Sequence, residues 1–363
     1  MIALLALCLT LFAAEVRVHV MDVGQGDAVL IEAPGGKTVL IDAGTGKSGV
    51  AAKLKAKGIK KLNLVVATHP HADHIGGMAE VLKSFEIGRY MDNSMTHTTL
   101  TYAKAMSVVE RKGIGYLAGV KGRSFQLGDD VTMTVLHPRS TLLRGTRSDL
   151  NSNSVVIRLE HRDVCFLFTG DAEEPTERAL LNGGIEPCDV LKVAHHGSEH
   201  SSTSSFLRAV KPKFAAISAG ANNRYGHPDP EALARLKHAE IEVHRTDQAG
   251  TITYISNGKS VKVRTERDGG DPFAGASQTA SHDSPAPASG DAVNINTADT
   301  AGLDSLPGVG PSRAAAILAH RKKNGPFKSC EDLVEIYGIG PKTVENIRSR
   351  CIVAAPQPKE DSK

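Results

Sequence analysis

The segment His69-Pro70-His71-Ala72-Asp73-His74-Ile75-Gly76-Gly77 places three imidazoles and one carboxylate within six positions. Imidazole is the side chain most often used to ligate a metal. A divalent metal centre therefore explains this cluster better than a polar loop whose histidines only cap a helix. His69 and His71, two apart, can point the same way from an extended loop, while Asp73 and His74 turn toward a second position. That arrangement implies two ions. Mixed nitrogen and oxygen donors favour zinc, and the carboxylate content keeps manganese open. No cysteine shares the cluster, so thiolate ligation is not expected.

The cluster needs elements to hold it. Residues 62–67 form an apolar run of strand length, and Gly76-Gly77 opens a helical stretch over 78–84. A buried strand thus delivers the loop at its carboxyl end, where open α/β folds bind ligands. Gly44-Thr45-Gly46-Lys47-Ser48 ends like a phosphate-binding loop, but that motif needs a glycine five positions before its Gly-Lys-Ser, and Ile41 stands there. The glycines read as a loop ahead of the amphipathic stretch 50–57, whose lysines form a solvated face.

The histidine cluster followed by Gly-Gly resembles the signature of the metallo-β-lactamase superfamily of hydrolases. The resemblance implies an α/β fold, an αββα sandwich, over 15–266. It implies that Asp171, after the apolar strand 166–168, is the ligand bridging both ions. One of His195 and His196, after the strand 191–194, should complete the second site, His196 being favoured. Asp42, at the end of the strand 38–41, should brace the metal loop without touching metal. The superfamily commonly supplies a further first-site histidine before the bridging aspartate. His97, in a Thr-rich stretch, and His137, before Pro138, both lack a suitable context. Asn153, in Asn151-Ser152-Asn153-Ser154 ahead of the strand 155–159, stands in its place as a weaker neighbour of the site. This exchange resembles the competence-protein ComEC branch. So do Met21-Asp22-Val23-Gly24-Gln25-Gly26-Asp27-Ala28, His195-His196-Gly197-Ser198 and Asn223-Arg224-Tyr225-Gly226-His227-Pro228.

The implied chemistry is hydrolysis by a hydroxide that two metals generate, with both ions stabilising an in-line displacement at phosphorus. Asp73, or solvent, would manage the proton. His227 would contact the scissile phosphate or protonate the leaving oxygen, with a ligand role or a plain turn role as the alternatives.

Composition changes abruptly near Asp268. Residues 267–291 are dominated by Gly, Ala, Ser, Pro and Asp, too little apolar surface to fold, and read as a disordered linker. Residues 292–353 then carry two Gly-hydrophobic-Gly turns, each before a helical pattern: Gly308 and Gly310 before 312–323, Gly338 and Gly340 before 343–350. Such a pair resembles a tandem helix-hairpin-helix domain like that of the ComEA DNA receptors. Its glycines would let the backbone approach a phosphate at a helix N-terminus, and Arg313 and Lys342 would add charge. Binding of this kind is independent of base sequence. A helical interaction module whose glycines only make tight turns is the alternative. Residues 354–363 read as a disordered tail.

The chain has 363 residues, room for two or three domains, and a net charge of +3 that neither demands nor excludes nucleic acid. The apolar run 1–14 is too short to span a bilayer. It fits a signal-peptide core lacking the usual positive start, or else a first core strand, and export is the expectation. Without long apolar spans the chain forms no channel itself, so a transport role needs a separate membrane partner. Cys165, Cys188, Cys330 and Cys351 allow three complete pairings. Cys330 and Cys351 could cross-link the second hairpin unit or remain buried thiols, and Cys165 reads as a packed free thiol. The sequence thus points to a phosphodiesterase that cleaves DNA, in uptake or scavenging. A non-catalytic DNA-binding competence factor and a hydrolase of a small phosphodiester are the alternatives.

Overall fold

The computed structural model describes residues 15–273, 293–299, 302–303, 306–307, 309, 311–336, 339–348 and 350–353. The segments expected to be a signal peptide, most of a linker and a tail lie outside these. The chain divides into two compact units, 1–277 and 278–363.

In the first unit one sheet holds β1 (Val16–Val20), β2 (Val29–Glu32), β3 (Thr38–Ile41), β4 (Lys61–Val66), β5 (Glu86–Asp92), β6 (Gly115–Ala118), β14 (Ile252–Ser256) and β15 (Val261–Thr265). The other holds β7 (Ser124–Gly128), β8 (Val131–His137), β9 (Val156–His161), β10 (Val164–Phe168), β11 (Val190–Lys192), β12 (Phe214–Ile217) and β13 (Glu242–Arg245). The alternation of side chains along each strand builds the layers. On β10, Val164, Phe166 and Phe168 join Val16, Val18, Val20 and Val39 in the core between the sheets. Cys165 and Leu167 face the other way, into a core shared with the helices Ser204–Val210 and Pro230–His238. Leu40 and Val65 of the first sheet likewise meet the helices Val50–Ala56, Met78–Ser84 and Leu100–Arg111. The result is the expected αββα sandwich.

Two parallel strand pairs set where the loops of chemical interest emerge. β3 pairs with β4 so that Ile41 lies opposite Val66, and β10 pairs with β11 so that Phe168 lies opposite Lys192. Each pair brings two carboxyl ends side by side, one pair in each sheet.

Residues 267–273 depart from the linker expectation. The Arg267 N–H donates to Ala249 O at 2.9 Å, the Arg245 guanidinium donates to Pro272 O at 3.2 Å, and Phe273 packs on the second sheet's outer core. These hydrogen bonds and the one large apolar residue of the stretch dock the segment.

The second unit has its own core, which includes Ile295, Leu303, Ile317, Leu333 and Ile347. Its helices Pro311–Asn324 and Pro341–Ile347 lie where the hairpin pattern puts them. The Asn296 side chain accepts from Phe327 N at 2.8 Å and donates to Phe327 O at 2.9 Å, tying the start of the unit to the turn after its first long helix. Cys330 and Cys351 are disulfide-bonded, and so are Cys165 and Cys188. The free thiol expected at Cys165 is thereby corrected: its outward side on β10 faces Cys188, just ahead of the neighbouring strand β11.

The bond in the second unit closes a separation of 21 residues. A cross-link of that size is worth about 3 kcal/mol. Calorimetry on Cys330→Ser/Cys351→Ser should show a lowered transition for the second unit and an unmoved one for the first; an unmoved second transition would contradict this.

Candidate metal centre

The loop 67–71 leaves β4 and enters a one-turn helix, Ala72–Ile75. Gly76 and Gly77 follow because nothing larger fits. A Cβ at Gly77 would collide with the Ala43 carbonyl, and one at Gly76 with the backbone of Gly46 and Ala72. This close approach fixes the loop against the end of β3, where Asp42 stands with φ +60°. The Asp42 carboxylate accepts from Thr68 N at 2.8 Å, from Thr68 Oγ1 at 2.7 Å and from His74 Nδ1 at 2.8 Å. With Nδ1 committed to Asp42, the His74 Nε2 atom points inward and is buried without a hydrogen-bond partner.

Asp171 arrives from the other sheet, past the end of β10. Its backbone N–H donates to Ser154 Oγ at 3.2 Å, which aims the carboxylate at the loop. Oδ1 lies 3.2 Å from His74 Nε2 and 3.8 Å from His196 Nε2. Oδ2 lies 3.7 Å from His69 Nε2 and 3.8 Å from His195 Nε2. His195 and His196 have φ +50° and +55°, a rare consecutive left-handed pair that turns both rings toward Asp171. His196 Nδ1 lies 2.9 Å from Ser218 O, and its Nε2 lies 3.3 Å from Asp73 Oδ2.

The donor atoms fall into three groups, each within 4.8 Å: Asp73, His74, Asp171 and His196 in one, His69, His71 and Asp171 in another, and Asp27, Asp42 and His74 in a third. Asp171 belongs to the first two. His195 stands beside them, its Nδ1 3.5 Å from Glu173 Oε1. His227 is one ring further out, 5.6 Å from His195 between centroids, with Nδ1 3.3 Å from Asp229.

Electrostatics show what the pocket lacks. Burial alone would protonate Asp171, yet the imidazoles of His74, His196 and His195 outweigh it and hold the carboxyl well below its usual range. Burial would likewise neutralise His196, but Asp171 and Asp27 push it up to about 10. His74 is also driven well above the ordinary value, since Asp171, Asp42 and Asp73 overcome its burial. His69 goes the other way, burial and the neighbouring His74 keeping it neutral and able to donate a lone pair. The carboxylates that draw protons onto His74 and His196 would hold a metal cation in their place, and the inward Nε2 atoms of His74 and His196 and Oδ1 of Asp171 have no hydrogen-bond partner. A divalent cation meets both demands, and the mix of imidazole nitrogen and carboxylate oxygen fits zinc or manganese.

One residue lies elsewhere than the sequence suggested, and the two histidines it set aside stay outside the donor groups. Asn153 does not face the centre: its amide accepts from Leu143 N at 2.9 Å and donates to Leu143 O at 2.9 Å and Asp149 O at 2.7 Å, bracing the 143–149 loop. Its neighbour Ser154 takes the place beside the cluster, with Oγ 3.5 Å from His69 Nδ1. His137 is turned away onto Ser152 O at 3.0 Å, and His97 stands 6.4 Å from the His71 ring.

Asp27 and Lys192 had no assigned role in the sequence, although Asp27 lies in the motif 21–28. The Lys192 ammonium donates to Asp27 Oδ2 at 2.7 Å in the buried interior, and Asp27 Oδ1 sits 3.3 Å from His196 Nδ1. The pair holds Asp27 ionised at about 2 against its own burial, so it backs His196 from behind. Glu173, also missed, takes Arg147 at 2.6 Å and Asn151 at 3.2 Å beside His195.

Of the hairpin residues, Gly308, Gly310 and Gly338 lie outside the described residues. Gly340 caps the helix Pro341–Ile347, in which Lys342 holds the second position, and Arg313 lies in the first turn of Pro311–Asn324.

A two-sheet sandwich carrying donor groups at its strand ends defines the class. Residues 21–221 match the metallo-beta-lactamase superfamily and residues 288–352 a helix-hairpin-helix motif. The chain belongs to the metallo-β-lactamase superfamily. It is 33% identical over 264 residues to ComE operon protein 3 of Bacillus subtilis, covering 67% of this chain and 33% of that protein. It is 30% identical over 258 residues to competence protein ComA of Neisseria gonorrhoeae, covering 70% of this chain and 34% of that protein. ComE operon protein 1 of Bacillus subtilis is 36% identical over 198 residues, 52% of this chain and 88% of that protein. The chain thus spans about a third of the length of the first two relatives.

Asp42→Asn keeps a residue type that tolerates positive φ but removes one acceptor from the Thr68–His74 brace. Losing an outer hydrogen bond to a ligating histidine typically costs 10–100-fold in metal affinity. Competition against a chromophoric chelator should register a loss of about that size; an affinity within twofold of the parent would count against the brace.

Proposed function

We propose that the protein is a metal-dependent phosphodiesterase that cleaves DNA, with sequence-independent DNA binding by its C-terminal domain. The observation that carries this is the division of the two Asp171 oxygens between two imidazole groups, in a chain that also carries a helix-hairpin-helix motif. His69, His71 and Asp171 would hold one ion, and Asp73, His74, His196 and the shared Asp171 the other. Bound there, a pair of divalent ions would supply hydroxide at neutral pH and electrostatic stabilisation of an in-line displacement at phosphorus.

The chain's own residues supply the rest. Asp42 and the Asp27–Lys192 pair orient His74 and His196. Asp73, its side chain 28% exposed, is the carboxylate of the set that solvent reaches, and it or solvent would take up the proton of the attacking water. His227 has Nδ1 turned to Asp229, whose carboxylate is kept ionised against its burial by His227 and by the Glu199 N–H. Its Nε2 would contact the scissile phosphate or carry a proton to the leaving oxygen.

Arg313, Lys342 and the Gly-hydrophobic-Gly turns, Gly308, Gly310, Gly338 and Gly340, would contact phosphates, so affinity should fall steeply with salt. The relatives' competence names favour DNA uptake as the setting, with the chain acting beside a separate membrane channel. No helix among the described residues is long and apolar enough to cross a membrane. Export is supported by the two disulfides, which persist in oxidising compartments.

The metal-loaded full chain should nick plasmid and degrade single-stranded DNA, and Asp171→Ala should abolish both while retaining DNA binding. Ending the chain after Ser277 keeps the first unit's cores. Because a tether raises local DNA concentration, that shortened chain at low concentration should lose DNA cleavage about 10²-fold and keep turnover of bis(p-nitrophenyl) phosphate. No hydrolysis of either substrate at full metal content would instead support a non-catalytic competence factor. Equal loss on both would sink the tether.

A further inference from the structure

The loop 221–227 carries Tyr225, a large aromatic that is 52% exposed and belongs to none of the hydrophobic cores. The loop is pinned. The Asn223 side-chain oxygen accepts from Tyr225 N at 3.1 Å and from His227 N at 3.2 Å, and its amide donates to Gly220 O at 3.0 Å. The Tyr225 ring lies nearly parallel to His227, 15° between planes and 6.1 Å between centroids. His227 in turn neighbours His195, which reaches Asp171. A line of rings therefore runs from solvent to the metal ligands. The Arg224 guanidinium sits 5.0 Å from the Tyr225 ring centre and donates to its hydroxyl at 2.9 Å.

We propose that Tyr225 is a stacking platform for an unpaired nucleobase, which makes single-stranded DNA the substrate class of this centre. The inference rests on the reading of the centre as one that cleaves DNA. An exposed ring held in a fixed loop gains from a planar partner, and the planar groups of DNA are its bases. Within a duplex both faces of each base are taken by its neighbours. Only a strand that is unpaired, or locally opened, can lay a base on Tyr225 while its phosphate enters the pocket. Arg224, over part of one face of the ring, leaves the exposed remainder to the base and places a cation where the next phosphate would pass, the pairing of aromatic and basic groups that single-strand grooves use.

The chain contains no tryptophan, so Tyr225→Trp creates a single tryptophan at this position whose emission can be excited apart from the tyrosines. In the metal-loaded full chain, a thymidine tetranucleotide should quench that fluorescence. An abasic tetranucleotide of equal length and charge should not. Equal quenching by both, or none by either, would overturn the platform. In turnover, Tyr225→Ala should raise KM for a single-stranded 20-mer about tenfold and erase the preference over an abasic 20-mer, and Tyr225→Phe should restore both. An unchanged KM in Tyr225→Ala would also overturn it. Quenching by the thymidine probe in a protein that cleaves no DNA would support the platform and sink the nuclease reading. Cleavage without base-dependent quenching would sink the platform alone.

Discussion

The buried Asp171 carboxylate, only 2% exposed, is the constraint on which the site depends. An ion in such a place must be compensated, because desolvation of a lone carboxylate costs several kcal/mol. Compensation comes from His74, His196 and His195, whose rings approach it from both sheets. Holding those rings requires more structure behind them. Asp42 sets the tautomer of His74, Ser218 O and the Asp27–Lys192 pair sit behind His196, and the glycines at 76 and 77 let the loop close on β3. Backbone strain at Asp42, His195 and His196 accompanies the same task, left-handed residues that the surrounding hydrogen bonds over-determine.

The fold serves this arrangement economically. Parallel pairing places carboxyl ends together, and the sandwich brings one pair from each sheet to the same edge. Neither sheet alone carries a complete set. That division explains why Phe166 and Phe168 are packed against the other sheet's valines with no exposure to spare. A shift between the sheets would separate Asp171 from the histidine loop.

The histidine cluster was legible in the sequence because it was local, an apolar strand running into three imidazoles and a carboxylate. Asp42, Asp171 and His195-His196 were legible only through the resemblance, since each by itself is an ordinary polar residue after a strand, and the two long helical stretches of the second unit showed in their periodicity. What escaped was non-local. Lys192 reads as an ordinary strand residue until Asp27, 165 positions earlier, is found against it. Asn153 and Ser154 are adjacent and equally polar, and only the turn into β9 decides that the serine faces the cluster. Cys165 pairs with Cys188 because β10 and β11 are neighbours, a fact of topology rather than spacing. The docking of residues 267–273 likewise depends on a sheet edge that composition cannot reveal.

Metal content measured on the purified full chain and on Asp171→Ala is the most direct test of a centre built on one shared carboxylate. Two divalent ions per chain, falling to one or none in the variant, are what a shared ligand requires. Two ions retained after removal of Asp171, or no divalent ion bound by the parent chain in excess zinc or manganese, would contradict it.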